Sequence, residues 1–408
     1  MKNGAGDGTR LVHLGREPQR HAGTVNQPIY RASTILFPTY EAFKHSRTVR
    51  PGDEMTYGIH GTPATFALEK ALAELEAGEG AVEAGYRTRL CNSGLQAVCM
   101  PILAVCGSGD HLLIPDNVYA PVRTFAGRTL KRMGIDATFY DPLIGGGIRD
   151  LMRPETKLVL VESPGSWTFE VQDIPAIAEE AHRGGAVVMM DNTWASPLYF
   201  RAFDHGVDIS AQAVTKYVGG HSDLMMGSVT STKDAYDRFI QPAWRDFGLC
   251  ASPEDTFLAA RGLRTMRVRL EAHHRAGLVV GEWLKGRPEV AEVIHPAMPH
   301  DPGHALWQRD FLGAASLFAF TLDERYGSDE ALAALFDTLE LHGMGFSWGG
   351  FESLLVPIYP ERMRSETGWP LPGRPKGQVL RIHVGLEDTA DLIDDLTNGF
   401  DAMRKAAG

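Results

Sequence analysis

The sequence predicts an α/β protein with a large, mostly parallel sheet followed by a smaller α+β domain. The prediction depends on two observations: unbroken apolar runs, which are typical of strands buried on both faces, and helix-like segments between them. The apolar runs occupy residues 111–114, 158–161, 186–190 and 209–214. Alternation of this kind indicates strands joined by crossover helices, and hence a sheet covered on both faces.

The first elements set the start of the sheet domain. Residues 1–65 hold many turn formers and few periodic apolar positions, so we expect an extended N-terminal arm. Residues 66–255 are predicted to form the sheet domain. A helix opens it, because apolar residues recur at helical spacing until Gly78 stops the pattern. A later helix, which begins at Asp173 and Pro175, separates two of the predicted strands.

A second domain is predicted for residues 256–408. Ser252, Pro253 and Asp255 form a helix-start pattern, namely a capping serine, a proline in the first turn and an acid three residues after the cap. We expect one long helix here, which connects the two domains. Beyond it, residues 315–322 and 379–384 read as strands, whereas residues 329–339 and the stretch from 390 read as helices.

Composition restricts the partners. The 408-residue chain is 44% hydrophobic and 22% charged, as is usual for a globular protein, and its net charge is −11. Nucleic acid and anionic membranes would repel such a chain, so a small metabolite is the expected partner. The four cysteines lack metal-ligand spacing, and no metal is expected. Residues 1–20 are polar and no 18-residue apolar stretch occurs, so we expect a cytoplasmic protein.

A lysine follows the last apolar run. Lys216 stands where a buried strand opens into a turn that contains Gly219 and Gly220. Burial lowers the pKa of an amine and makes its neutral, nucleophilic form accessible, as a Schiff-base lysine requires. Most lysines are solvated surface groups, so the position alone leaves both interpretations open.

An acid ends another apolar run. Asp191 follows residues 186–190, at the edge of the sheet where open α/β proteins bind ligands. Such an acid either caps the next helix or takes part in catalysis. Beside a Schiff-base lysine it would keep a pyridine nitrogen protonated, so that the ring withdraws electrons from a carbanion.

Other candidate positions each have a structural alternative. Ser93, Gly94 and Leu95 form a turn that opens onto a helix, whose first amides bind phosphate well, although such turns are common without a ligand. Tyr119 follows a strand end and either stacks on a planar cofactor or anchors a loop. Arg381 lies inside an apolar strand and needs a partner, either a substrate carboxylate or a structural salt bridge.

Together these stretches resemble the cystathionine-metabolising family of pyridoxal-phosphate (PLP) enzymes, which have the aspartate aminotransferase-like fold (PLP fold type I). The resemblance extends from Tyr57 to Asp388. Its most specific segments are residues 162–166 (ESPGS), 191–195 (DNTWA), 213–217 (AVTKY) with 220–223 (GHSD), and 346–354 (FSWGGFESL).

The resemblance implies a role for each candidate. Lys216 would bind PLP covalently and remove the α-proton, and Asp191 would bind the ring nitrogen. Tyr119 would stack on the ring, with a part in catalysis. The implied phosphate ligands are Ser93, Gly94, Leu95 and Thr215, and the implied substrate ligands are Arg381, Ser347, Trp348 and Tyr57. Family members are usually homotetramers, built from dimers in which Tyr57 would cross to the partner's phosphate.

One segment narrows the implied reaction. Members that act at the γ-carbon usually have leucine before the two glycines, whereas Ser347-Trp348-Gly349-Gly350 looks like the bacterial cystathionine β-lyases. The resemblance therefore implies β-elimination from cystathionine to homocysteine, pyruvate and ammonia, a step of methionine biosynthesis. A γ-lyase, a methionine γ-lyase, a homoserine-ester sulfhydrylase and a PLP-binding regulator without turnover are the alternatives.

One position departs from the family. Many members have Tyr-Gly-Arg where this chain has Tyr57-Gly58-Ile59-His60, so the arginine that would neutralise the phosphate across the dimer is missing. Two arginines, Arg87 and Arg89, stand before the predicted phosphate turn. The hypothesis is that one of them replaces the missing cation. Alternatively, both are solvated or paired with acids such as Glu83.

Overall fold

The computed structural model describes residues 4–49 and 54–408, and its larger sheet has seven strands. They are β1 (Arg87–Cys91), β2 (His111–Pro115), β3 (Asp136–Tyr140), β4 (Thr156–Glu162), β5 (Val187–Asp191), β6 (Ile209–Ala213) and β7 (Gly227–Ser231). Their order across the sheet is β1-β7-β6-β5-β4-β2-β3. Strands β2 to β6 run parallel, whereas β7 is antiparallel to both of its neighbours. The predicted α/β fold is confirmed.

Helices cover the sheet and link it to the second domain. They are α1 (Asp7–His13), α2 (Tyr40–Ser46), α3 (Pro63–Ala77), α4 (Gly94–Val105), α5 (Ala120–Phe125), α6 (Ile174–Arg183), α7 (Ser196–Tyr199), α8 (Lys233–Ala235), α9 (Gln241–Asp246), α10 (Pro253–Leu263), α11 (Met266–Lys285), α12 (His304–Asp310), α13 (Asp329–Thr338) and α14 (Thr389–Ala407). Two π-helical turns, Ala126–Leu130 and Tyr236–Ile240, follow α5 and α8.

The smaller sheet has four antiparallel strands. They are β8 (Val290–Ile294), β9 (Leu317–Leu322), β10 (Leu354–Ile358) and β11 (Val379–His383), in the order β10-β11-β9-β8. On β11, Leu380 and Ile382 join the core formed with α13 and α14. Because side chains alternate along a strand, Arg381 and His383 point to the opposite face, towards the larger domain.

The N-terminal arm has more core than its composition predicts. Helix α1 places Leu11 in the main hydrophobic core, and Leu14 follows it there, with Leu68 and Leu72 of α3. The Arg264 side chain donates hydrogen bonds to the carbonyl oxygens of Leu11 and Leu14, at 2.7 and 2.6 Å. Part of the arm, residues 50–53, lies outside the described residues. The domain boundaries at 65 and 255 stay a prediction.

The predicted long connecting helix is in fact two helices. It begins as predicted, because the Ser252 side chain caps α10 by accepting from the Asp255 amide at 3.3 Å. It ends at Leu263, and α11 begins at Met266. At the break, the Thr265 hydroxyl donates to the Gly262 carbonyl and accepts from the Arg269 side chain. Such side-chain bonds compete with the helical pattern.

Candidate active site

A pocket lies at the carboxyl ends of the parallel strands, where the smaller domain meets the larger. Its cavity volume is about 150 Å³. Loops after β4, β5 and β6, the first turn of α4, and β11 of the smaller domain line it. The predicted site residues that line this pocket are Ser93, Gly94, Leu95, Tyr119, Asp191, Thr215, Lys216, Trp348 and Arg381.

The amine of Lys216 is held by the Ser347 side chain. Lys216 follows β6, and its Nζ donates to Ser347 Oγ across the domain boundary. The same Nζ lies 5.1 Å from the centre of the Trp348 ring. Burial and the positive charge of Arg381 lower the pKa of Lys216 to about 8, against the opposing charge of Asp191. A substantial fraction of this amine is therefore neutral near physiological pH.

Asp191 ends β5 with one carboxylate oxygen engaged. Its Oδ1 accepts from the amide of Thr193 at 3.0 Å and from the Thr193 hydroxyl at 2.6 Å. Within residues 4–49 and 54–408, its Oδ2 has no protein hydrogen-bond partner. Burial raises the pKa of Asp191, although the Thr193 bonds and the charge of Lys216 oppose this. Its place in the pocket lining and its unengaged oxygen favour a ligand over the helix-capping alternative.

The first turn of α4 presents backbone amides to the pocket. The Ser93 side chain caps the helix by accepting from the Gln96 amide at 3.2 Å. The amides of Gly94 and Leu95 belong to the first turn, where an α-helix offers no internal acceptor. A side chain at position 94 would place its Cβ 2.4 Å from the Cβ of Ala213, so only glycine lets α4 pack this closely on β6. These amides can bind an anion.

Tyr119 is held by its backbone and leaves its ring open to the pocket. Its amide donates to Glu162 Oε2 at 2.8 Å, while 42% of the residue is exposed. Burial and the negative charges of Asp191 and Glu162 raise the pKa of the Tyr119 hydroxyl, which therefore stays protonated at neutral pH. The residue fits a ring-stacking position better than a loop anchor.

Arg381 reaches the pocket from β11 without an acidic partner. Its Nη2 donates to the Ser347 carbonyl at 3.2 Å, and no carboxylate of the described chain forms an ion pair with it. Burial lowers the pKa of Arg381 to about 10, so the guanidinium remains charged at neutral pH. A salt bridge therefore does not explain this arginine. A ligand carboxylate would complete its planar donor set.

Tyr57 lies outside this pocket in the same chain. It is 49% exposed and lines a separate cavity of about 320 Å³, together with Ile59 and Arg89. Its ring contacts the ring of His60 edge-on at 6.1 Å. A single chain therefore leaves the pocket without Tyr57, and its predicted role depends on a second copy.

Within one chain, Arg87 and Arg89 both have protein partners, so the hypothesis that one of them replaces the missing cation across the dimer stays a prediction. Arg89 is buried and forms an ion pair with Glu69 at 3.3 Å, not with Glu83. Arg87 donates to the carbonyl oxygens of Val82 and Tyr86. Neither arginine lines the pocket that contains Lys216. The partner of Arg89, Glu69, lies on α3, which packs against β1.

Sequence reasoning assigned no role to Glu162, which the structure places at the centre of the site. It ends β4 in register with Asp191 on β5, and its Oε1 accepts from the Ser166 hydroxyl at 2.5 Å. An available signal was its position directly after the apolar run 158–161, which matches that of Asp191. Trp167 and Phe169, with φ of 74° and 54°, complete the wall beside it.

The chain is similar to known proteins along nearly its whole length. A family model described as "Cys/Met metabolism PLP-dependent enzyme" matches residues 8–401. The chain belongs to this family.

Relatives span nearly its whole length. Cystathionine beta-lyase MetC of Escherichia coli K12 is 40% identical, over 96% of this chain and 97% of its own. An L-alanine/L-glutamate racemase of Wolbachia pipientis wMel is 37% identical, over 95% and 94%. The crystal structure of metB from Corynebacterium glutamicum superposes with a TM-score of 0.85 at 27% identity, covering 98% of both chains.

The pocket fits the cofactor of this PLP-dependent family. Lys216 offers an amine for the aldehyde, Asp191 Oδ2 an acceptor for the ring nitrogen, and the amides of Gly94 and Leu95 donors for the phosphate. Thr215 is already engaged, since its hydroxyl donates to the Met226 carbonyl at 3.2 Å. A phosphate contact would require that proton to turn away, so the role of Thr215 stays a prediction.

The described residues contain neither a membrane-spanning helix nor a cluster of metal-ligating side chains. No helix in residues 4–49 and 54–408 is long and apolar enough to cross a membrane. In the same part of the chain, no group of three or more histidine, cysteine, aspartate or glutamate side chains is arranged to hold a metal ion.

Proposed function

We propose that this PLP-dependent enzyme is a cystathionine β-lyase, which cleaves the carbon–sulfur bond on the three-carbon side of cystathionine. The products are homocysteine, pyruvate and ammonia. The observation that carries the proposal is the hydrogen bond from Lys216 Nζ to Ser347 Oγ, in a turn whose Trp348 ring lies beside the amine. This turn is the segment that looks like the β-lyases, and it contacts the candidate base directly.

Binding of the substrate begins with its α-carboxylate. Arg381 has free donors and no acidic partner in the described chain, so it binds the carboxylate in a planar, two-point contact. The contact with Arg381 fixes the α-carboxylate beside β11, and the α-carbon then lies between β11 and the end of β6. The remaining groups are then positioned by the pocket, with the Trp348 ring as one wall.

Proton transfer is assigned to Lys216. PLP, when bound, supplies an electron-accepting ring that stabilises negative charge at the α-carbon. Lys216 with a lowered pKa is neutral in part, so its amine can take the α-proton, and Ser347 Oγ orients the lone pair. The protonated amine can then give this proton to the departing sulfur. One water molecule then hydrolyses the three-carbon fragment to pyruvate and ammonia.

Asp191 and Tyr119 determine the charge on two sides of the pocket. Asp191 lines the pocket with its Oδ2 unengaged within the described residues, so it would accept a hydrogen bond from the protonated ring nitrogen of the cofactor. The Tyr119 hydroxyl, whose pKa is raised, stays neutral and adds no negative charge beside the substrate carboxylate. Glu162 Oε2 accepts a hydrogen bond from the Tyr119 amide and so holds the Tyr119 backbone in place.

The competing functions use the same residues. A γ-lyase, a methionine γ-lyase or a homoserine-ester sulfhydrylase would also need Lys216, Asp191 and Arg381. Trp348 favours β-elimination, because it occupies the position before two glycines where leucine is usual in γ-acting members. A regulator without turnover is disfavoured, since an amine with a lowered pKa beside an unpaired arginine is more than cofactor binding requires.

We also propose that the enzyme is a cytoplasmic homo-oligomer, with a tetramer expected from the family. Leu36, Tyr40 and Phe43 of the arm are exposed in the single chain, as is Tyr57. A second copy that covers this arm would bury their apolar surface. Sedimentation velocity with the holoenzyme measures the state.

The test is product analysis with purified holoenzyme and L,L-cystathionine. Lactate dehydrogenase detects pyruvate, and a thiol reagent followed by chromatography identifies homocysteine. The Lys216→Ala variant is the control, and it must produce neither. Formation of 2-oxobutyrate and cysteine would assign γ-elimination instead, and conversion of L-alanine to D-alanine without carbon–sulfur cleavage would assign racemisation.

A further inference from the structure

The turn at Ser347–Gly350, called the 347–350 turn below, is pressed against Lys216. Besides the bond from Nζ to Ser347 Oγ, a Cβ at position 349 would lie 3.2 Å from the Cα of Lys216. Ser347 and Gly349 have φ of 79° and 87°. A serine keeps a left-handed conformation only where its surroundings fix it, so something must hold this turn in place.

His383 lies directly beneath the turn. It is 1% exposed, and its Nε2 accepts a hydrogen bond from the Gly349 amide at 3.1 Å. The same nitrogen lies 3.1 Å from the Gly350 carbonyl oxygen. Two residues earlier on β11, Arg381 donates to the Ser347 carbonyl. One strand therefore contacts both ends of the turn.

The surrounding hydrogen bonds determine which nitrogen of His383 carries the proton. Ser316 Oγ donates its only proton to the Val384 carbonyl at 2.6 Å, so it can only accept from His383 Nδ1 at 3.2 Å. With the proton on Nδ1, Nε2 keeps its lone pair for the Gly349 amide, and its contact with the Gly350 carbonyl is then not a hydrogen bond, because both atoms are acceptors. Burial, with the charge of His273, lowers the pKa of His383 to about 3, which keeps this acceptor neutral and available.

We propose that His383 is a positioning residue, which holds the 347–350 turn against Lys216 and so places Ser347 and Trp348 relative to its amine. His383 does not line the pocket itself and acts only through the Gly349 amide. Without this acceptor, the turn can leave its left-handed conformation. The lysine amine then loses the hydroxyl that orients it.

The test compares two substitutions of His383 with a control. In His383→Gln, the amide oxygen lies near the position of Nε2 and can still accept from Gly349, whereas His383→Leu offers no acceptor. The control is His273→Leu, because His273 is fully buried in the same network and bonds the Val384 carbonyl, but has no hydrogen bond to the turn within the described chain. The readouts are PLP affinity, melting temperature and exchange of the α-proton of L-alanine in D₂O.

The expected result separates position from stability. His383→Leu lowers the maximal α-proton exchange rate by about 10- to 100-fold, with PLP affinity and the half-saturating L-alanine concentration changed less than about threefold. His383→Gln recovers most of the rate. His273→Leu lowers the melting temperature to a similar extent but leaves the exchange rate within about threefold of wild type.

Two outcomes overturn the proposal: equal rate losses in His383→Leu and His273→Leu, or no recovery in His383→Gln. If His383→Leu fails to fold, His383→Asn replaces it, because its side chain is too short to reach Gly349. The inference rests on the proposed function only in that Lys216 moves an α-proton. L-alanine has no sulfur to eliminate, so exchange tests His383 even if wild type forms no pyruvate from cystathionine.

Discussion

Glu162 and Asp191 end neighbouring parallel strands in register, and both face the pocket that contains Lys216. Burial and the charge of Asp191 raise the pKa of Glu162 from 4.5 to about 8. Two buried carboxyl groups this close are not both ionised at neutral pH. We expect Glu162 to hold the proton, which leaves Asp191 to carry the charge that a protonated ring nitrogen needs.

A stability prediction follows for the cofactor-free enzyme. Because the folded pKa of Glu162 exceeds its unfolded value, the native state binds more protons, and the free energy of unfolding falls as pH rises from about 4.5 to about 8. Glu162→Gln removes this titration, so its melting temperature declines less between pH 5 and pH 8 than that of wild type. Glu155→Gln, a surface control, should follow wild type. Parallel curves for all three proteins would contradict the assignment.

Lys216 carries the second prediction. The holoenzyme should be yellow, with an absorption band in the visible, because the cofactor is bound through the lysine amine. Lys216→Ala should lose this band together with activity, by on the order of 10⁴-fold, since both the attachment and the general base are removed. Lys216→Arg keeps a positive charge and should behave alike. A colourless wild-type protein, or a visible band in Lys216→Ala, would rule out the role.

Asp116 provides a stability prediction away from the chemistry. Its side chain is fully buried and accepts from the amides of Ser365, Glu366 and Thr367, each at 3.0 Å, and from Arg123 at 2.6 Å. These bonds lower the pKa of Asp116 to about 2 against the effect of burial. The acid therefore fixes a segment of the smaller domain onto the loop that carries Tyr119.

Replacement of Asp116 should be costly. Asp116→Asn turns a charged acceptor into a neutral amide whose nitrogen faces donors, and we expect a loss of about 2–4 kcal/mol in the free energy of unfolding, measured by urea denaturation. Asp136→Asn is the matched control, because Asp136 pairs with Arg153 at the exposed surface. That change should cost less than about 1 kcal/mol. If both variants lost the same free energy of unfolding, the buried hydrogen bonds of Asp116 would stabilise the fold no more than a surface ion pair does.

Trp348 separates substrate orientation from cofactor binding. Trp348→Leu should lower kcat/KM for cystathionine by about 10-fold or more, because an aromatic wall that orients the substrate is lost, while PLP affinity changes little. Trp283→Leu is the control, since that ring stacks on Phe400 inside the smaller domain. A Trp348→Leu enzyme with the full rate would remove Trp348 from the site, together with much of the case for β-elimination.

The sequence predicted the elements whose signals are local. Apolar runs marked β2, β4, β5 and β6, and polar residues at their ends marked Asp191 and Lys216, which the structure brings to one pocket. The strands β1 and β7 were missed because their residues are polar or small. In the structure they are buried by mutual pairing, as in the 2.7 Å contact between Thr88 and Thr230.

Contacts between residues far apart in the sequence could not be predicted from local sequence patterns. Asp116 accepts hydrogen bonds from residues about 250 positions away. No local sequence pattern near either segment predicts that the two segments meet. Pairing of Arg89 with an acid was one of the two alternatives, but its partner is Glu69 on α3, 20 positions earlier, and not the nearby Glu83. The sequence pattern predicts only that His383 belongs to a strand. Its contact with the 347–350 turn depends on the tertiary structure. The roles of the pocket residues stay predictions for the experiments above.

The most direct test of the account uses L,L-cystathionine labelled with ¹³C in its three-carbon arm, followed by NMR with the wild-type holoenzyme. β-Elimination places the label in pyruvate and leaves homocysteine unlabelled, in equal amounts, and this is the result that we predict. Labelled cysteine with unlabelled 2-oxobutyrate would show γ-elimination and contradict the central claim. Unchanged labelled cystathionine would contradict it as well.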